Sequence, residues 1–176
     1  HIQLMSILEE LGRPKRKPKE LVVFVAEKIK RDENLFGQLV ECLRTGSDVQ
    51  KGICAEVMEY ATKDNPELAR PYLDSIIAHI NYPAPKVKWE TARVVANASR
   101  GSSESVGKAI PNLLLNTEDA GTVVRWSAAY ALTEIAKHNP KLSRNLVPRF
   151  MKIAKKERNS GVKNVYLKAL KQLTKG

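Results

Sequence analysis

Two stretches of the chain place the same reactive side chains at the same spacing. VKWETARVVANAS at 87–99 and VRWSAAYALTEIA at 124–136 both open with valine, a basic residue and tryptophan. One helical turn after Trp89 and Trp126 stand Arg93 and Tyr130. An indole face can stack on a base, a sugar or a guanidinium group, and a basic neighbour suits a phosphate or a carboxylate. The same residue types also dominate protein–protein hot spots. Looser copies of the stretch put Lys51 and Asn164 at the tryptophan place, with Ala55 and Lys168 one turn later. The candidate binding surface is therefore a ladder of Lys51, Trp89, Arg93, Trp126, Tyr130, Asn164 and Lys168.

A ladder of this kind binds; catalysis needs more. Glu90 follows Trp89 but is turned about 100° round a helix, and Glu134 lies about two turns beyond Trp126. The expected surface thus lacks a carboxylate that could act as a base. The chain holds no glycine-rich phosphate loop, no HExxH and no GxSxG. His79 and His138 each fall at the end of a helical pattern, where a solvated side chain near the last carbonyls is the ordinary arrangement. Cys42 and Cys54 belong to no CxxC and to no Cys/His cluster. They read as buried, reduced thiols, which fits a cytoplasmic protein. These residues imply no metal, no cofactor and no enzyme activity.

The elements that must carry the ladder are helices. Val124, Ala128, Ala131, Leu132 and Ile135 recur at three- and four-residue steps, so they share one face and Ser127 falls off it. Val87, Thr91, Val94, Val95 and Ala98 repeat that pattern. So do Val162, Tyr166, Ala169, Leu170 and Leu173, and more loosely Val49, Ile53, Val57 and Tyr60. The four copies are spaced by 37–38 residues. Each follows another amphipathic segment, at 33–43, 65–80, 105–117 and 139–156. Asn65-Pro66 and Asn139-Pro140 predict capped helix starts, and Pro71, Pro111 and Pro148 predict kinks in the first helices. One helix pair cannot bury both its apolar sides, whereas stacked pairs bury a continuous core.

Proline in the first helix, a short turn, then Val-(Lys/Arg)-x-x-Ala-Ala-x-Ala-Leu in the second resembles the HEAT repeat, over about residues 33–175. VRWSAAYAL and VKWETARVV carry the resemblance best, while VKNVYLKAL and VQKGICAEV are looser, with Gln50 in place of the basic residue. The resemblance implies an all-α, right-handed α-solenoid of about four HEAT-like helix pairs, its second helices lining a concave side that binds other macromolecules. A capping helix is expected at about 18–31. HEAT-like alkylpurine DNA glycosylases, which use Trp, Asp and Arg in such a groove, offer the nucleic-acid alternative. The missing carboxylate stops a transfer of their site.

Charge gives a second feature. The net charge is +11, yet residues 21–140 are close to neutral and residues 141–176 carry eleven basic residues against Glu157 alone. Arg149, Lys152, Lys155, Lys156 and Lys171 form this basic end, which would favour an anionic partner such as nucleic acid. Residues 1–17 read as an N-terminal segment, with His1–Leu4 as an expression remnant and a basic linker beginning at Arg13. Residues 18–176 then form a single repeat domain. No apolar run reaches the roughly 18–20 residues of a membrane span, and nothing before Arg13 has the form of a signal peptide. The expectation from sequence is a cytoplasmic, non-catalytic binding module with a protein partner.

Overall fold

The computed structural model describes residues 17–175; the N-terminal segment expected at 1–17 lies outside them but for Lys17. The described residues are 81% helical and form no strand. Helix α1 (Pro18–Arg31) is followed by α2 (Leu35–Thr45) and α3 (Asp48–Asp64). A 3-10 segment (Pro66–Tyr72) runs into α4 (Leu73–Ile77), and α5 (Pro85–Ala98) follows. The pattern repeats with a 3-10 segment (Ser105–Ala109), α6 (Ile110–Asn116) and α7 (Thr122–His138). Helices α8 (Pro140–Lys156) and α9 (Ser160–Leu173) complete the chain.

The local chemistry sets these boundaries. Ser47 opens α3 with a reciprocal cap: its Oγ accepts from the Gln50 amide at 3.2 Å, and its own amide donates to Gln50 Oε1 at 2.9 Å. Asn139 caps α8 by accepting from the Leu142 amide at 3.3 Å. Asn65 caps nothing through its side chain, whose Nδ2 donates instead to Glu33 at 3.2 Å. The three prolines act differently. Pro71 closes the 3-10 segment just before α4, and Pro111 sits in the first turn of α6, where its missing N–H is no loss. Each of the two middle first helices is therefore split into a 3-10 piece and a short α-helix. Pro148 lies inside an unbroken α8.

The second helices α3, α5, α7 and α9 pack on one another in chain order, and far more closely than the first-helix pieces do. The second-helix row is thus the inner side of a solenoid, and the splayed first-helix row the outer side. Helix α1 covers the free side of α3. One apolar cluster runs the length of the stack, from Leu21 and Val25 through Phe36, Met58, Val94 and Leu132 to Phe150 and Tyr166. Ala128 is buried as its register requires. Ser127 is buried too, against the expectation that it falls outside the core face. The reason is that α7 is covered on two sides, by α5 and by α9, so its buried arc is wider than one apolar stripe.

Candidate binding face

Valine, basic residue, tryptophan: the second of these three holds the units together. Lys88 Nζ reaches Asp119, in the loop before α7, at 2.7 Å. Arg125 makes the same connection one unit later, with Nε and Nη2 donating to the two carboxylate oxygens of Glu157 at 2.9 and 3.3 Å. Both acids are held below their ordinary range. Burial opposes this, but the basic partner and a loop amide (Gly121 for Asp119, Asn159 for Glu157) outweigh it. In the first unit the equivalent residue is Lys51. Its Nζ donates to the Leu43 and Arg44 carbonyls at 2.5 and 3.1 Å, at the end of α2, and lies 4.9 Å from the Tyr82 ring centroid, in the loop before α5. The intervals 51–82, 88–119 and 125–157 match to within one residue.

This corrects the first-unit register. Lys51 is not a rung of the binding ladder; it is 6% exposed and caps a helix end. It corresponds to Lys88 and Arg125, and Gly52 takes the tryptophan place. Val49, aligned in sequence with Val87 and Val124, is 73% exposed where those two are buried. A Cβ on Gly52 would come within 3.1 Å of the Lys86 stem, so that side chain covers the place where the next two units carry an indole.

The remaining ladder residues lie on the inner row. Trp126 and Tyr130 stack, with ring centroids 5.3 Å apart and planes 19° from parallel. The Arg93 guanidinium lies 5.3 Å from the Trp126 centroid, and its Nε donates to Ser127 Oγ at 3.0 Å. Trp89, Arg93, Trp126 and Tyr130 are all half-buried, whereas Asn164 and Lys168 are exposed. Burial and Glu134 push the Tyr130 hydroxyl pKa up, so it is a hydrogen-bond donor at neutral pH. The structure thus brings Arg93, Trp126 and Tyr130 into one cluster on α5 and α7. It leaves Asn164 and Lys168 as separate exposed groups on α9.

A carboxylate also stands in this row, turned away from the Trp89 place and towards α3. Glu90 is 5% exposed. Burial, reinforced by Glu59 and Glu56 on α3 and only partly relieved by Arg93 and Lys86, pushes its carboxyl up to about 7. Glu56 itself is bound by Lys86 at 2.7 Å and Glu59 by Lys63 at 3.2 Å. Further along the row, Glu134 pairs with Lys137 and His138. Glu90 was legible only through the 37-residue correspondence, which pairs it with Ser127 and pairs Glu56 with Arg93.

No protein-family profile matches the chain, and neither does any curated protein. Solved structures do. A designed armadillo repeat protein in complex with the peptide (KR)4 superposes with a TM-score of 0.67 at 14% identity, over 97% of this chain and 87% of that one. A second designed armadillo repeat protein gives 0.72 at 18% identity, over 97% and 82%. An engineered protein from a structural genomics programme gives 0.72 at 18%, over 97% and 78%. The fold is an all-α helical-repeat solenoid. At these identities the likeness extends to the fold alone, and its neighbours are of the armadillo type.

Cys42 and Cys54 are both buried free thiols, as expected. Among the described residues no group of three or more His, Cys, Asp or Glu could hold a metal ion, and no helix is long and apolar enough to cross a membrane. Arg149, Lys152, Lys155, Lys156 and Lys171 are exposed on α8 and α9.

Proposed function

We propose that the chain is a non-catalytic binding module that takes an extended segment of a protein partner along its inner row. The observation that carries this reading is the Arg93–Trp126–Tyr130 cluster: aromatic and guanidinium groups, half-exposed and already ordered against one another, on the surface where consecutive second helices meet. Such preordered groups lose little conformational entropy when a ligand arrives. Trp89, Asn164 and Lys168 extend the surface along α5 and α9. A fold neighbour was solved with a peptide bound, which supports a peptide-like ligand for this chain as well. A cytoplasmic location goes with this reading and with the free thiols.

The basic end supports a second contact, with an anionic partner such as nucleic acid. Its five exposed cations, Arg149, Lys152, Lys155, Lys156 and Lys171, form no ion pair among the described residues.

The inner-row reading is tested with Trp89→Phe, which leaves Trp126 as the single indole. Peptides selected from a random display library should shift Trp126 emission on binding. Tyr130→Ala should weaken them by at least about tenfold, the range of a hot-spot residue. Selected peptides that bind without moving Trp126 emission and are indifferent to Tyr130→Ala would place the binding surface elsewhere.

A further inference from the structure

One interface of the inner row departs from its neighbour. Residues 37 apart occupy equivalent places, so the pair Arg93 and Ser127 across α5 and α7 corresponds to Glu56 and Glu90 across α3 and α5. In the first pair an arginine from one helix donates to a hydroxyl on the next at 3.0 Å, with Trp126 beneath it. In the second pair both members are carboxylates, so neither donates to the other, and the one donor there, Lys86, is on Glu56. Glu90, 5% exposed, makes no hydrogen bond or ion pair with any described residue. Its carboxylate oxygens are not fully sealed from solvent, so a carboxylate that no described side chain satisfies can still be reached by an incoming donor.

The cations nearby are committed elsewhere. Lys86 Nζ is on Glu56 at 2.7 Å, from a side chain 41% exposed. Lys63 is on Glu59 at 3.2 Å. Arg93, three residues along the same helix, is turned towards Ser127 and Trp126. Glu56, Glu59 and Glu90 repel one another yet do not close into a set that could hold a metal ion. A cation that carries several N–H donors on a long stem suits such a spread of acceptors better than a point charge does.

We infer that the Glu56–Glu90 interface receives one lysine or arginine side chain of the bound segment, an inference that rests on the inner-row binding proposed above. The incoming cation supplies the donor that Arg93 supplies one unit later. The overall charge of +11 does not oppose this. Its excess lies in residues 141–176, at the far end of the stack, and at physiological salt a charge is screened within about 8 Å.

The probes are three labelled octapeptides: alternating lysine and arginine, alternating glutamate and aspartate, and alternating serine and glycine. Each is titrated against the unaltered protein by the anisotropy of its label, and against Trp89→Phe so that Trp126 emission alone reports on the inner row. The basic peptide should bind most tightly. Glu90→Gln, nearly the same shape without the charge, should weaken it about 10- to 100-fold, the effect of removing a charged hydrogen bond. The double variant Glu56→Arg/Glu90→Ser rebuilds this interface as a copy of the next. It should melt no lower than the parent and also lose the basic peptide. Basic-peptide affinity unchanged by both variants overturns the inference while leaving inner-row binding intact. So does a Trp126 response to the acidic or neutral peptide alone. If none of the three moves Trp126 emission, both readings fail.

Discussion

Replacing Glu90 by glutamine should change how stability depends on pH. The carboxyl stands at about 7 in the folded chain against an ordinary 4.5, first because it is buried, then because Glu59 and Glu56 repel its ionised form. Arg93 and Lys86 offset only part of this, and no hydrogen bond does. Below about pH 4.5 the carboxyl is protonated in both folded and unfolded chains and contributes nothing to the pH dependence. Between there and about pH 7 the folded chain keeps a proton that the unfolded chain has released, so raising the pH favours unfolding. Above about pH 7 the loss is complete and constant. At about 1.4 kcal/mol per tenfold, moving from 4.5 to about 7 amounts to about 3 kcal/mol. The substituted glutamine would be neutral at every pH, and any penalty for its unpaired amide is pH-independent. The stability of Glu90→Gln minus that of the parent should therefore rise by about 3 kcal/mol from about pH 4 to about pH 8. For a chain of this length that widens the gap in melting temperature by about 6–12 °C. Urea denaturation of both proteins at four pH values across that window reads it directly. Groups remote from Glu90 contribute equally in the two proteins and cancel. A difference that stays flat within about 0.5 kcal/mol would show that Glu90 is solvated or paired, and that the reasoning about its interface is wrong.

Arg125→Ala should cost about 2–3 kcal/mol by chemical denaturation, because it leaves Glu157, whose side chain is 4% exposed, with loop amides as its remaining partners. A loss below about 1 kcal/mol would reduce the unit-to-unit tie to a surface ion pair. Binding of a generic DNA duplex to the basic end should weaken with salt, with a slope of log K on log salt of about −3.6 for four phosphate contacts. Reversing Lys152, Lys155, Lys168 and Lys171 to Glu should abolish it with the circular dichroism spectrum unchanged. A slope near zero, or binding that survives the reversal, would remove nucleic acid as a partner of this end.

The helices, their 37-residue recurrence and the capping helix are legible in the sequence because apolar spacing and caps are local signals. Register in the first unit is not. Aligning on valine chose Val49, yet what fixes the register is Lys51, held by carbonyls at the end of α2 and by the Tyr82 ring, and those partners exist only once the helices pack. Ser127 falls in the core for a related reason. A helical wheel knows one buried stripe, whereas α5 and α7 are flanked on both sides. The Trp126–Tyr130 stack was legible from its four-residue spacing. Arg93 over Trp126 was not, since it depends on how far apart α5 and α7 sit.

The three connections made by Lys51, Lys88 and Arg125 also set the elasticity of the stack. A solenoid under tension stretches like a coil spring, and its turns yield in order of their weakest links. The turns from α5 to α7 and from α7 to α9 are each cross-braced by a charged pair, Lys88–Asp119 and Arg125–Glu157. The turn from α3 to α5 is braced as well, by Lys86–Glu56 and by the Tyr82 hydroxyl donating to Asp48, and it also houses the unpaired Glu90 beside Glu56. A cation lodged there would stiffen it, so that load and occupancy work against each other at one joint of the spring.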